Sequence, residues 1–201
     1  MLDTKLVLVT GASGWLGTRL LHFLVHGLKE HPDFQKANPQ MRIRCLVKKG
    51  EILNITPIPD RISVVYGDVR EPGSLEAFVK GAERAILFHT AGIIHPKYPK
   101  EFIEVNVTGT RNLLTAASNA KIKRAVIVSS NSPCGCNPHV DHLFDESSPY
   151  NPYMGYGKSK MLMETVANEM YIQGKLETVI IRPTWFYGID QPPRQTLFFS
   201  M

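Results

Sequence analysis

Two tyrosines in the chain are each followed by a lysine four residues later, Tyr156 by Lys160 and Tyr171 by Lys175. On a helix that spacing puts both side chains on one face, about one turn apart. An ammonium held there favours the phenolate and turns a weak acid into a working acid/base. The chain has seven tyrosines, so one such pair arises easily by chance, and position has to separate them. Tyr156 stands at the start of its helix, just past the loop that leaves an apolar strand. Tyr171 stands about four turns further on, beside Gly174. Serines at the strand end, Ser129, Ser130 and Ser132, could hold a carbonyl oxygen while Tyr156 moves the proton. Tyr156–Lys160 is therefore the candidate pair, and Tyr171–Lys175 reads as surface packing.

A second signal lies near the N-terminus. TGASGWLG (10–17) places Gly11, Gly14 and Gly17 as G-x-x-G-x-x-G between a strand and a helix. Glycines let the backbone turn tightly and approach a pyrophosphate, whose charge meets the helix N-terminus. No G-K-[ST] follows, so a triphosphate loop is excluded. The acid that usually takes the ribose at the end of the second strand is missing, and Val47, Lys48 and Lys49 stand there. A lysine attracts a 2′-phosphate, which favours NADP over NAD. The alternative is that Lys48 is a solvated charge and Glu51 reaches the ribose. Asp68, just after the third strand, could accept from the adenine amino group or simply form a turn.

These residues need a frame. Apolar strand runs recur at 5–10, 42–47, within 61–69, in ERAILFHTAG, in KRAVIVSS and in ETVIIRP. Helical periodicity runs from Trp15 to Leu28, over about 99–119 and from about Tyr153 to Gln173. A short helix in EPGSLEAFVKG has Ser74 as candidate N-cap and Gly81 as terminator. Strand and helix alternate, and several strands are apolar on both faces. The pattern predicts an α/β doubly wound parallel sheet, a Rossmann fold in the order 3-2-1-4-5-6. Residues 1–190 form the dinucleotide-binding domain, and 191–201 read as the start of a truncated C-terminal substrate lobe.

The chain has 201 residues, 43% hydrophobic and 20% charged, with a net charge of +5. That is a globular composition, and no basic run marks a nucleic-acid tail. No apolar stretch approaches the ~20 residues of a membrane span. Three cysteines make no disulfide framework, which suggests a cytoplasmic location. Cys134, Cys136, His139 and His142 are zinc-type ligands, but their spacing is not that of a zinc site, and no metal is expected. The expected partner is a small-molecule substrate, with a homodimer as a possible assembly.

TGASGWLG, GDV (67–69), HTAG (89–92), NVTGT (106–110), VSS (128–130), YGKSK and RPTWFYG (182–188) together resemble the extended short-chain dehydrogenase/reductase superfamily, in matching order. The resemblance implies Ser130, Tyr156 and Lys160 as catalytic residues, with Lys160 also on the nicotinamide ribose and Asn106 supporting the proton relay. It implies a cofactor site from Gly11, Ser13, Gly14, Trp15, Leu16 and Gly17, then Lys48, Asp68, Val69, Thr90, Ala91, Gly92 and Pro183. Trp185 stands where sugar-nucleotide members usually carry asparagine. HTAGIIHP and RPTWFYG look more like the 3β-hydroxysteroid dehydrogenase and dihydroflavonol reductase groups. The expected activity is an NAD(P)-linked dehydrogenase or reductase acting on a carbonyl or secondary alcohol. The alternatives are a nucleotide-sugar epimerase or dehydratase with bound NAD, and a non-catalytic dinucleotide-binding module.

Overall fold

The computed structural model describes residues 4–193. Most of the segment expected to begin a second lobe, 194–201, lies outside them. Six strands and four α-helices alternate: β1 (Leu6–Thr10), α1 (Trp15–His26), β2 (Arg42–Val47), β3 (Ile62–Tyr66), α2 (Pro72–Val79), β4 (Ile86–His89), α3 (Thr110–Asn119), β5 (Arg124–Val128), α4 (Met154–Ile172) and β6 (Glu177–Ile181). All neighbouring strands are parallel, in the expected order β3-β2-β1-β4-β5-β6.

Successive residues of β1 face opposite sides of the sheet. Val7 and Val9 join a core with Leu21 and Leu24 of α1. Leu8 joins the opposite core with Leu75 and Phe78 of α2, Leu113 of α3 and Met163 of α4. All three β1 residues are fully buried, as a strand covered by helices on both faces requires. β6 is different. Its burial alternates, and Val179 and Ile181 are exposed on the face away from α4.

Two local expectations change. The helix expected over 99–119 begins as a π-helix, Phe102–Gly109, and becomes α-helical only at Thr110. α2 is capped at Glu71, with Pro72 in the first turn where its missing N–H costs nothing. Ser74 instead ties down the preceding turn, accepting from the Asp68 N–H and donating to the carbonyls of Asp68 and Glu71. α4 ends at Ile172, so Lys175 lies beyond the helix and cannot stack on Tyr171. Among the described residues no helix is long and apolar enough to cross a membrane.

Candidate active site

The carboxyl ends of β1 to β4 open into a cleft of about 350 Å³, lined among others by Gly11, Ser13, Gly14, Lys48, Asp68, Val69, Thr90, Ala91 and Gly92. Its floor depends on the first glycine. Gly11 has φ +68°, and a Cβ there would lie 2.5 Å from the Ala91 amide nitrogen. A side chain at Gly17 would strike the Gly11 carbonyl. Only a bare backbone lets the β1–α1 turn lie this close to the end of β4. α1 starts with no side-chain cap and no acid in its first turn. Its N–H groups and positive end therefore remain available to an anion. The cleft fits a dinucleotide pyrophosphate on these observations.

At the other end of the cleft, Asp68 is forked onto Arg70, with contacts of 2.7 to 3.1 Å. That hydrogen bonding holds its carboxyl below the usual range, despite partial burial. The Lys48 ammonium lies 4.0 Å from Asp68 and is more than half exposed. Glu51 accepts from the Ser13 hydroxyl at 2.5 Å, at the rim of the glycine loop.

The loop 182–190 folds across the start of α1. Trp15 stacks on Phe186 with ring centroids 5.0 Å apart, and its indole N–H donates to the Ile189 carbonyl at 2.8 Å. Pro183 accepts at its carbonyl from the Asn131 amide at 3.1 Å, which brings this segment beside the end of β5. Cys134 is buried there and Cys136 exposed, while the His139 and His142 rings are in contact. Among the described residues no three metal-binding side chains converge.

The three residues implied as catalytic come together at the ends of β5 and α4. Gly157 permits this, since a Cβ there would lie 2.8 Å from the Ser132 carbonyl oxygen. The Ser130 hydroxyl is bonded to that of Ser132 at 3.0 Å, so the two serines share one position. Burial raises the Tyr156 phenol, and the Ser130 hydroxyl opposes the rise. The lysine does not act on the tyrosine as expected. Lys160 is buried, donates to the Val128 carbonyl at 2.9 Å, and lies 5.9 Å from the Tyr156 ring centre. Burial brings its pKa down to about 8, with Glu164 pulling the other way.

Asn106 sits in the π-helix, a distortion that often accompanies function. Its side chain accepts from the Ile93 N–H at 2.8 Å and donates to the Ile93 carbonyl and to Ser159 Oγ, both at 3.0 Å. Ser159 in turn donates to the Tyr156 carbonyl at 2.8 Å. Asn106 is only 1% exposed, and these bonds tie it through Ser159 to the Tyr156 backbone.

A buried histidine escaped the sequence reading. His89 ends β4, with Nδ1 2.7 Å from Thr10 Oγ1 and Nε2 2.8 Å from Thr110 Oγ1. The Thr110 hydroxyl donates its one proton to the Asn106 carbonyl at 2.7 Å. It must therefore accept from His89, which fixes the proton on Nε2 and leaves Nδ1 to accept from Thr10. Burial, aided by the Lys160 charge, brings the His89 pKa down to about 3. A polarised chain thus links the strand that enters the glycine loop to the π-helix. A lone polar residue closing an apolar strand was its only trace in the sequence. Buried Glu164 and its partners Tyr150 and Arg182, which form a cluster behind Lys160, escaped as well.

The model of the NAD dependent epimerase/dehydratase family matches residues 7–199. An uncharacterized protein, y4nL, of Sinorhizobium fredii is 52% identical over 203 residues, covering 100% of this chain and 56% of that protein. The N-acetyl-alpha-D-glucosaminyl-diphospho-ditrans,octacis-undecaprenol 4-epimerase of Escherichia coli O157:H7 is 32% identical (90% of this chain, 49% of the relative). Mouse 3 beta-hydroxysteroid dehydrogenase type 7 is 28% identical (92% and 51%). The chain spans about half the length of these relatives. Among solved structures, the dTDP-glucose 4,6-dehydratase DesIV of Streptomyces venezuelae, with NAD and TYD bound, superposes with a TM-score of 0.82 at 26% identity. That match covers 97% of this chain and 62% of DesIV.

Proposed function

The chain belongs to the NAD dependent epimerase/dehydratase family, and on that footing we propose that it is the dinucleotide-binding and catalytic part of an NAD(P)-dependent oxidoreductase acting on a carbonyl or secondary alcohol. The observation that carries this is the convergence of Ser130, Tyr156 and Lys160, with the Lys160 ammonium beside Gly92 of the glycine-loop cleft. Gly11, Ser13, Gly14, Trp15, Leu16 and Gly17 take the pyrophosphate. Asp68 and Val69 border the adenine, and Thr90, Ala91, Gly92 and Pro183 line the path to the nicotinamide. A nicotinamide held there would serve as hydride acceptor or donor. Ser130, with Ser132 at its side, holds the substrate oxygen. Tyr156 gives or takes the proton at that oxygen. Lys160 turns its ammonium from Val128 towards the ribose and the phenol, and Asn106 holds Tyr156 in place through Ser159.

NADP is the preferred dinucleotide in this proposal. Lys48 offers an exposed ammonium just past the end of β2, the nearby Asp68 carboxylate is balanced by its fork onto Arg70, and Glu51 is engaged by Ser13. Trp185 supports an apolar substrate, since an indole packs on a hydrocarbon skeleton but cannot replace a polar amide. The test is an assay of the protein with apolar ketones, secondary alcohols and nucleotide sugars, using both dinucleotides. Net oxidation or reduction of the dinucleotide with the apolar substrates is expected. A second reading, in which hydride leaves and returns within one turnover, draws on the likeness to DesIV and to the Escherichia coli epimerase. Conversion of a nucleotide sugar with no net change in the dinucleotide would establish that reading instead.

A further inference from the structure

About two turns beyond Tyr156, α4 carries a carboxylate with no part in the chemistry above. Glu164 is fully buried. A buried ion is costly unless it is paired and hydrogen-bonded, and this one is satisfied by three separate elements. The Arg182 guanidinium donates from Nε to both oxygens at 3.1 Å and from Nη2 at 2.7 Å. The Ser129 hydroxyl donates at 2.5 Å and the Tyr150 phenol at 2.8 Å.

Each partner is tied to a working part of the site. Ser129 immediately precedes Ser130. Arg182 immediately precedes Pro183. Tyr150 belongs to the loop that runs from the Ser130 strand to the start of α4. Glu164 itself follows Lys160 by four residues, one turn along the same helix. We propose that Glu164 is a positioning residue, whose carboxylate clamps the Ser130 strand, the Pro183 segment and the covering loop onto the helix that bears Tyr156 and Lys160, and sets a negative charge one turn from Lys160. This rests on the reading of Ser130, Tyr156 and Lys160 as the reacting set.

The competing view is that Glu164 and Arg182 only hold the core together. A buried ion pair can often be replaced by apolar side chains at no cost in stability, so the two views part in a double variant. The charged and titratable groups facing Lys160 are Glu164 and Tyr156 from its own helix and His89 from β4, with Arg182 behind Glu164. Removing the Glu164 charge takes away an anion that favours the ammonium against burial, leaving Lys160 its bond to the Val128 carbonyl. Glu164→Gln also leaves Arg182 unbalanced.

The experiment follows the titration of Lys160 by carbon-13 NMR of lysine-labelled protein, with Lys160→Met assigning the signal. NADPH binding is followed by fluorescence in the same samples. Wild type should titrate near 8. Glu164→Gln, and Glu164→Met combined with Arg182→Met, should titrate lower by about one pH unit. The double variant should melt close to wild type yet bind NADPH about tenfold more weakly, the effect of ~1.4 kcal/mol. If Glu164→Gln does not fold, the double variant decides. A folded double variant in which either the Lys160 midpoint or the NADPH affinity is unmoved overturns the proposal. If wild type binds neither NADPH nor NADH, the oxidoreductase reading fails, and the Lys160 midpoint alone decides the role of Glu164; if it binds only NADH, that dinucleotide replaces NADPH in the titration.

Discussion

The Lys160 ammonium is hydrogen-bonded to the carbonyl of Val128, one strand residue short of the Ser129–Ser130 pair, and is buried there. The contact makes a charged side chain part of the inner wall of the site. It also gives the lysine a cost in stability, because burial brings its pKa from 10.5 to about 8.

That cost has a sign and a window. The folded protein resists protonating Lys160, so the penalty is fully present below about pH 8 and fades between about 8 and 10.5. At neutral pH it amounts to roughly 3 kcal/mol. Lys160→Met should therefore melt higher than wild type at pH 7, with the gap closing towards pH 10.5, while turnover is lost. A destabilised variant at pH 7 would contradict this.

Tyr156→Phe keeps the ring and removes the ionisable hydroxyl. Turnover should fall by at least ~100-fold, with dinucleotide affinity little changed. Tyr171→Phe and Lys175→Met should leave both intact, since Tyr171 is exposed and Lys175 lies beyond α4. Steady-state kinetics on the four proteins decides between the two tyrosines.

Acid should act through His89 before it reaches the carboxylates. The folded-state pKa of about 3 lies below the ordinary 6.5, so the unfolded chain binds the extra proton across that interval. Stability should begin to fall below about pH 6.5 and go on falling towards pH 3, by up to ~5 kcal/mol in all. Melting curves from pH 7 to 5 should fall less steeply for His89→Gln than for wild type. Equal slopes would remove His89 as the cause.

Lys48→Ala should weaken NADPH binding about tenfold, the effect of ~1.4 kcal/mol, and leave NADH nearly unchanged. Fluorescence titration with both dinucleotides reads it directly. Tighter binding of NADH by wild type would overturn the NADP preference.

Alkylation should separate the cysteines. Burial pushes the Cys45 thiol up to about 12, whereas Cys136 is exposed. Iodoacetamide at pH 8 should mark Cys136 and spare Cys45, and a zinc chelator should not change the pattern. Mass spectrometry of the peptides provides the check.

The sheet order was legible because alternation of strand and helix leaves few parallel arrangements, and the glycine loop marks where the sheet begins. The π-helix was not, because Phe102, Val105 and Leu113 recur at spacings that suit an ordinary helix equally well. Tyr171–Lys175 could be set aside from the sequence because Gly174 marks the helix end before Lys175 is reached. Glu164 left a trace: Tyr156, Lys160 and Glu164 recur every four residues, which puts a base, an acid and a cation on one helical stripe. Its partners could not be read, since Tyr150, Ser129 and Arg182 meet it only after three separate elements have packed.

The hydrogen bond between Thr10 and His89 spans 79 positions of the chain, and β1 lies between β2 and β4. Such a contact pays its loop-closure entropy late, and parallel pairing of this kind is intrinsically slow. Ribosomes extend a chain by about 5–20 residues per second. The glycine loop thus exists for on the order of several seconds before the Thr90–Ala91 backbone that closes it has been translated. Throughout that interval one edge of the apolar strand Leu6–Thr10 has no native neighbour, an opening for aggregation. The yield of folded protein should accordingly respond to translation speed and chaperone supply during synthesis of the segment from Leu6 to Ala91.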